Sequence, residues 1–376
     1  MIARELNLAV VGLGYWGPNL VRAAMELEDT KVHTLCDTSA DRLAQQGRRY
    51  PSVKLTSSFE EVLADDEIDA VLLATPIATH HRMGMACLEA GKHVFVEKPL
   101  ANSADECLEM IAAADERELI LMPGHTFLYS PPVVKIKSMV DSGELGELFF
   151  VTSTRVNLGI HQSDSSVIRD LAPHDFSILH YWLGQPTFVR AIARDSIVPG
   201  TMDVAFIDLG YENGTLVRIE LSWLAPTKLR RTVLAGRRKM VVYDDMSAEP
   251  VRVFDRGVDV IEPQSYGEHQ LAYRVGDVLS PRLDVDEPLR VELADFVDSI
   301  RHGKLPRSNA QVGLDVVRMV EAAETSLHYN GAPVALDKQD DDRRRSPDRR
   351  RSHSGMPLLR GADPTADPNA AVIYET

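Results

Sequence analysis

The sequence predicts an α/β protein. A doubly wound parallel sheet comes first, followed by an α+β part with a large, mostly antiparallel open sheet. Three observations carry this. Over the first 125 residues, short apolar runs alternate with helical patterns, the grammar of parallel strands joined by helical crossovers. After about Phe127, long β-rich runs follow one another with turn signals between them, which implies consecutive hairpins. From Gln339 the chain turns to low-complexity charge. The expected divisions are therefore residues 1–126, 127–338 and 339–376.

Taken in order, LNLAVVG (Leu6–Gly12) reads as a buried strand and Pro18–Leu27 as a helix. KVHTLCD (Lys31–Asp37) is a second strand, Ser39–Tyr50 a helix and Val53–Leu55 a short third strand. Ser58 with Glu61, and later Ser103 with Glu106, have capping-box spacing, which starts helices there. DAVLLATP (Asp69–Pro76) is a fourth strand, and the helix after it stops at Gly91, where a glycine suits the C′ position. KHVFVEKP (Lys92–Pro99) is the fifth strand and Leu119–Met122 the sixth. Beyond Phe127, a Pro-Pro pair opens a helix that SGELGEL (Ser142–Leu148) ends. The β-rich runs follow, with Glu212-Asn213-Gly214 as a hairpin turn. Helices are expected at about Asp170–Leu183, Leu289–His302 and Val312–Asn330.

Composition narrows the function. The chain has 376 residues, 44% apolar and 26% charged, with net charge −15. The stretch Asp340–Thr376 carries seven Arg and seven acidic residues, so the negative excess lies before it. That argues against nucleic acid or an anionic membrane as partner. Three cysteines (Cys36, Cys87, Cys107) without C-x-x-C spacing predict neither a disulfide framework nor a zinc site, and no metal is expected. No signal peptide or spanning segment is read, so the expectation is a cytoplasmic protein. The tail DDDRRRSPDRRRSHSG has nothing apolar to bury and is expected to be disordered.

Gly12-x-Gly14-x-x-Gly17 lies between a strand and a helix. There the glycines serve a tight turn, close approach of backbone to a pyrophosphate, and helix–strand packing. The helix N-terminus offers free N–H groups to the phosphates. Asp37 ends the second strand 25 residues after Gly12, placed to accept from an adenosine ribose. This is a Rossmann dinucleotide site, and the carboxylate favours NAD, with NADP possible. Arg42 reads as a solvated side chain.

Lys98 leaves the fifth strand before Pro99, aimed at the cleft where ligands of such sheets sit. It could hydrogen-bond a substrate hydroxyl and carry its proton. In RDLAPHD (Arg169–Asp175), Asp170 and His174 are four apart on a helix start and share a face. His174 is a second proton carrier, Asp170 holds a hydroxyl or orients the set, and Asp175 is either a further member or a capping charge. Pro173 is placed in the first turn, where a missing N–H is tolerated.

GLGYWG, Asp37, ATPIATHH, EKP and DLAPHD, in that order, resemble the glucose–fructose oxidoreductase / inositol dehydrogenase / MocA family over about residues 5–338. The resemblance implies a Rossmann domain, a substrate-binding and assembly domain on an open sheet, and a homodimer or homotetramer formed through that sheet. It implies hydride transfer between NAD(P) and a ring carbinol, with Lys98, Asp170 and His174 catalytic. Cofactor contacts fall to Gly12, Gly14, Tyr15, Trp16, Gly17, Asp37, Thr75, Pro76, His80, Glu97 and Lys98. Substrate contacts fall to Lys98, His125, Arg155, Asn157, Asp170 and His174, with Arg155 the candidate for a diphosphate or carboxylate. A cis bond is expected before Pro99. The chain departs from many members at Thr126 and Leu128, where those carry Asn and Arg. The form of the motifs is most similar to members acting at C3 of nucleotide sugars such as UDP-N-acetylglucosamine or its uronic acid. An inositol or free-sugar dehydrogenase, a 3-ketoreductase of deoxysugar synthesis, an NAD-dependent glycoside hydrolase and a non-catalytic NAD sensor are the alternatives.

Overall fold

The computed structural model describes residues 4–336 apart from 29, 160–164 and 262–269. The expected disordered tail lies outside the described residues.

The first half runs β1 (Leu6–Val11), α1 (Gly17–Met25), β2 (Thr30–Cys36), α2 (Ala40–Arg49), β3 (Lys54–Thr56), α3 (Phe59–Ala64) and β4 (Ala70–Leu73). It continues α4 (His80–Glu89), β5 (His93–Glu97), α5 (Ala104–Glu116) and β6 (Leu121–Gly124). The six strands pair in the order β3-β2-β1-β4-β5-β6, each neighbour parallel. Strand order reverses at β1, which opens a crevice beyond the carboxyl ends of β1 and β4. Ser58 and Ser103 cap α3 and α5 by accepting from Glu61 N and Glu106 N, as their spacing predicts. β3 and β6 sit one or two residues later than read, a normal boundary error for short strands.

The second half runs α6 (Pro131–Asp141), β7 (Leu148–Leu158), α7 (Val167–Leu183), β8 (Phe188–Arg194), β9 (Val204–Gly210), β10 (Leu216–Ser222) and β11 (Leu224–Gly236). Then come β12 (Met240–Asp244), β13 (Val251–Ile261), β14 (Gln270–Leu279), α8 (Pro288–His302), α9 (Ala310–His328) and β15 (Val334–Ala335). These strands form one sheet, β14-β13-β12-β11-β7-β10-β9-β8-β15. β10 lies parallel to β7 and every other neighbour is antiparallel.

One core fills the space between this sheet and helices α6, α7 and α9. Two more cover the faces of the parallel sheet. The last two long helices serve the first sheet as well as the second. Phe296 of α8 meets Phe95 edge-on, ring centroids 5.9 Å apart, and Leu314 and Val317 of α9 join the core on the opposite face.

α7 starts at Val167, capped by Ser166, three residues before the expected start. Pro173 is therefore inside the helix rather than in its first turn.

Candidate active site

The crevice at the strand-order reversal is a cleft of about 1270 Å³ that runs from β2 to α7. Its glycine turn is built as the spacing requires. Gly12 has φ +91°, and a Cβ there would lie 2.5 Å from the Ala74 carbonyl oxygen. A Cβ on Gly17 would lie 1.9 Å from the Gly12 carbonyl oxygen, so the turn closes on the helix only with hydrogen at that position. Gly14 differs: its nearest neighbour is Arg42 Nη1 at 3.9 Å, which leaves open room beside the backbone for a phosphate group. Trp16 caps α1 without a side-chain bond, so the first N–H groups of the helix are not capped by that side chain. Tyr15 is almost fully exposed at the rim.

Asp37 is buried, accepting from Leu13 N at 2.6 Å and Ser39 N at 2.8 Å. Those two bonds fix the carboxylate at the end of β2 with lone pairs still facing the cleft. Arg42 is solvent-exposed, as its helical pattern predicts, and also borders the cleft. It lines the cleft with Nη1 3.6 Å from Asp37 Oδ2. The turn, the helix end and Asp37 together fit a dinucleotide.

Thr75 and Pro76 line the opposite wall. His80, expected at the cofactor, lies behind that wall. It is buried, with Nδ1 2.9 Å from the Pro99 carbonyl and Nε2 2.8 Å from the Thr75 carbonyl. It joins the two turns that bear Thr75 and Lys98. Burial holds its pKa below the usual range. The peptide between Lys98 and Pro99 is cis.

The chemical end lies where β5 meets α7. Lys98 Nζ donates to the Asp170 carbonyl oxygen at 3.2 Å and sits 3.7 Å from Asp170 Oδ1. Trp223 Nε1 donates to Asp170 Oδ2 at 3.2 Å. Asp170 and His174 both face the cleft, one helical turn apart. Burial, then the charges of Lys98 and Arg155, hold the His174 imidazole well below its ordinary pKa, so it is neutral. Phe127 meets it edge-on at 5.2 Å.

Glu97 also faces the cleft, with Oε1 buried and without a hydrogen-bond partner. Burial pushes its carboxyl up to about 7. Behind it, Glu292 of α8 accepts from Thr126 Oγ1 at 2.7 Å. Burial and then the Glu97 charge raise Glu292 well above the carboxylate range. Oε2 accepts from Lys98 N at 3.2 Å, and the remaining Oε1, aimed into the cleft, suits the amide of a nicotinamide.

Three expected substrate contacts fall elsewhere. His125 is fully buried between cleft residues, has no partner on either nitrogen, and is pushed down to about 3 by burial. Arg155 is buried and tied to Asp175, Nε to Oδ2 2.5 Å. It holds the second sheet to α7 rather than meeting solvent. Asp175 is thus no capping charge; Ser153 Oγ also donates to it at 2.7 Å. Asn157 is half-buried two residues further along β7 and outside the cleft lining. The sequence reading missed Arg230 and Asp245, which do line the cleft, paired at 3.2 Å. Arg230 sits in β11 and Asp245 in the turn after β12, with no local signal. Among the described residues, His33, Asp65 and Glu67 place ligand atoms within 4.8 Å of one another. They lie outside the cleft lining, and Lys54 at 3.0 Å from Asp65 already supplies that trio's cation.

Fold and cleft define an NAD-binding oxidoreductase. The family model for the oxidoreductase family with NAD-binding Rossmann fold matches residues 6–125, and the model for that family's C-terminal domain matches residues 133–242. The chain belongs to the Gfo/Idh/MocA family. It is 29% identical to the uncharacterized oxidoreductase YrbE of Bacillus subtilis (strain 168), over 89% of this chain and 98% of that one. It is 24% identical to myo-inositol 2-dehydrogenase of Thermotoga maritima, over 86% and 96%. The solved structure of GenD2 from gentamicin A biosynthesis in complex with NAD matches with TM-score 0.75 at 22% identity, over 90% of this chain and 98% of that one. Among the described residues no helix is long and apolar enough to cross a membrane.

Proposed function

We propose that this protein is an NAD-dependent dehydrogenase of a ring carbinol in a sugar or cyclitol. The observation that carries the reading is the convergence of Lys98, Asp170 and His174 at one end of a cleft whose other end is a dinucleotide cradle. NAD held in that cradle supplies the acceptor for the hydride that leaves the carbinol carbon. Lys98 donates from Nζ to the substrate oxygen and steadies the charge that develops there as the C=O forms, while the hydroxyl proton passes to the neutral His174; in the reverse direction His174 returns that proton. His174, neutral and of weakened basicity, accepts a hydrogen bond from the substrate and orients the ring. Asp170 keeps Lys98 in place through its backbone and carboxylate.

Relatives named as inositol dehydrogenases support a cyclitol or free sugar as substrate. The second reading is C3 of a nucleotide sugar, and the placement of Arg230 in the cleft favours it. The test follows absorbance of reduced nicotinamide with NAD and each of myo-inositol, glucose, UDP-N-acetylglucosamine and its uronic acid, with 3-keto sugars plus NADH for the reverse direction. Turnover of one class that vanishes in Lys98→Met supports the reading. NAD binding with no turnover in either direction sinks it in favour of a sensor.

A further inference from the structure

We infer that Arg230, backed by Arg155, forms a subsite for an anionic substituent of the substrate, a carboxylate or a phosphate. The inference rests on the reading that the cleft takes a polyhydroxylated ring. Arg155 and Arg230 are direct cross-strand partners on β7 and β11. Their side chains therefore leave the same face of the sheet, with Cβ atoms about 5 Å apart. Like charges so placed destabilise a sheet, unless something outside the pair answers them. Asp175 answers Arg155 from α7, yet Arg155 Nη1 stays buried without a hydrogen-bond partner.

Arg230 is compensated less. One nitrogen, Nη1, meets Asp245 Oδ2 at 3.2 Å, and the other oxygen of Asp245 accepts from Tyr243 Oη at 3.3 Å. No other acceptor among the described residues meets the guanidinium, which is a third exposed and lines the cleft. Both guanidinium groups stack on Phe127, Arg155 at 4.9 Å and Arg230 at 5.8 Å from its centroid. The same ring packs against His174. The donors thus stand one aromatic ring away from the reacting end, where a ring substituent would reach while its carbinol meets Lys98. After burial, the charges that act on His174 are cations, among them Lys98, Arg155 and Arg230. A guanidinium with free donors in a partly desolvated cleft matches the planar oxygens of a carboxylate or phosphate.

The test is calorimetric binding to the full chain loaded with NADH, so that alcohols bind without turnover. The ligands are glucose, glucuronate, glucose 1-phosphate and UDP-glucose. At least one acid is expected to bind about tenfold or more tightly than glucose, the worth of a charge-assisted hydrogen bond. That advantage should be lost in Arg230→Met and enlarged in Asp245→Asn, which frees Nη1. An ion pair of purely structural value would weaken binding in both variants. A preference for glucuronate assigns a carboxylate; a preference for either phosphorylated sugar assigns a phosphate. Equal binding of acids and glucose, no binding by any acid, or a preference that survives Arg230→Met overturns the subsite. Turnover of neutral glucose or inositol by the wild type, beside equal binding of acids and glucose, would leave the dehydrogenase reading standing while the subsite falls.

Discussion

Lys98 and Asp170 face each other across the cleft, Nζ 3.2 Å from the Asp170 carbonyl oxygen and 3.7 Å from its Oδ1. One ends a strand of the parallel sheet; the other opens the helix that packs on the second sheet. The contact sets the distance between cofactor cradle and substrate wall, so it holds both geometry and charge. Replacing Lys98 by Met keeps the stem and removes the amine. The expected loss in kcat is about 10²–10³-fold, the usual worth of one donor to a developing oxyanion. The Kd for NAD, measured by fluorescence titration, should stay within a few-fold. A loss confined to NAD affinity would move Lys98 from chemistry to cofactor binding.

Arg155 and Asp175 are a buried ion pair at 2.5 Å. Removing one partner leaves an uncompensated charge, at a cost of about 3–5 kcal/mol. Asp175→Asn should therefore lower Tm sharply. Arg155→Met with Asp175→Leu should recover most of the loss, because a matched apolar pair avoids the desolvation of both charges. A double variant whose loss equals the sum of the losses of Arg155→Met and Asp175→Leu would show that the pair is not coupled.

The pair also marks what could be read from the chain. Gly12, Gly14, Gly17, Asp37 and Lys98 were legible because each lies within a few residues of the strand end that gives it meaning. The hairpin at Asn213-Gly214 was legible for the same reason. Arg155, Arg230 and Asp245 were not. Their roles depend on the register of β7 with β11 and on which way that sheet faces α7, and neither leaves a mark in local spacing. Arg42 reads as solvent-facing by helical periodicity and is exposed; that it also borders the cleft, because α2 starts shortly after Asp37, carries no periodic signal.

Glu97 gives a pH signature. Its carboxyl binds a proton more tightly in the folded protein, about 7 against 4.5 for the free group. Its contribution to stability is therefore full below pH 4.5 and lost as pH rises through about 7. The difference is bounded at roughly 3 kcal/mol by 1.36 kcal/mol per unit. His125, pushed down to about 3, works with the opposite sign between 3 and 6.5, so wild type must be read against a variant. The Tm of wild type minus that of Glu97→Gln should fall between pH 4.5 and 7 and then level off. A flat difference across that range would place Glu97 in contact with water.

The outer face of the second sheet carries Phe150, Leu216, Ile192 and Phe206, all well exposed. Across it Arg190, Asp208 and Arg218 stand in one cross-strand row. Apolar area flanked by alternating charge suits a second copy of the same face under a two-fold axis. Light scattering on the eluting protein is expected to give at least twice the 41.7 kDa chain mass. Phe206→Glu with Leu216→Glu should return it to monomer. A monomeric wild type at micromolar concentration would discard the pairing.

Arg42 bears on cofactor choice. A 2′-phosphate on the adenosine ribose would meet the Asp37 carboxylate, which repels it. Asp37 is not a bare charge, however: two backbone N–H groups and the Arg42 guanidinium already face it. Arg42 is half-exposed on a helix end and can turn from the carboxylate to a phosphate at little cost, since exposed ion pairs are worth about 0–1 kcal/mol. NAD should bind more tightly than NADP, with NADP still measurable. Arg42→Ala should weaken NADP by about tenfold, or 1.4 kcal/mol, and NAD by much less. Asp37→Ser should shift preference the other way, toward NADP. If Arg42→Ala weakened both cofactors equally, the guanidinium would be holding Asp37 or the adenine rather than reading the 2′ position.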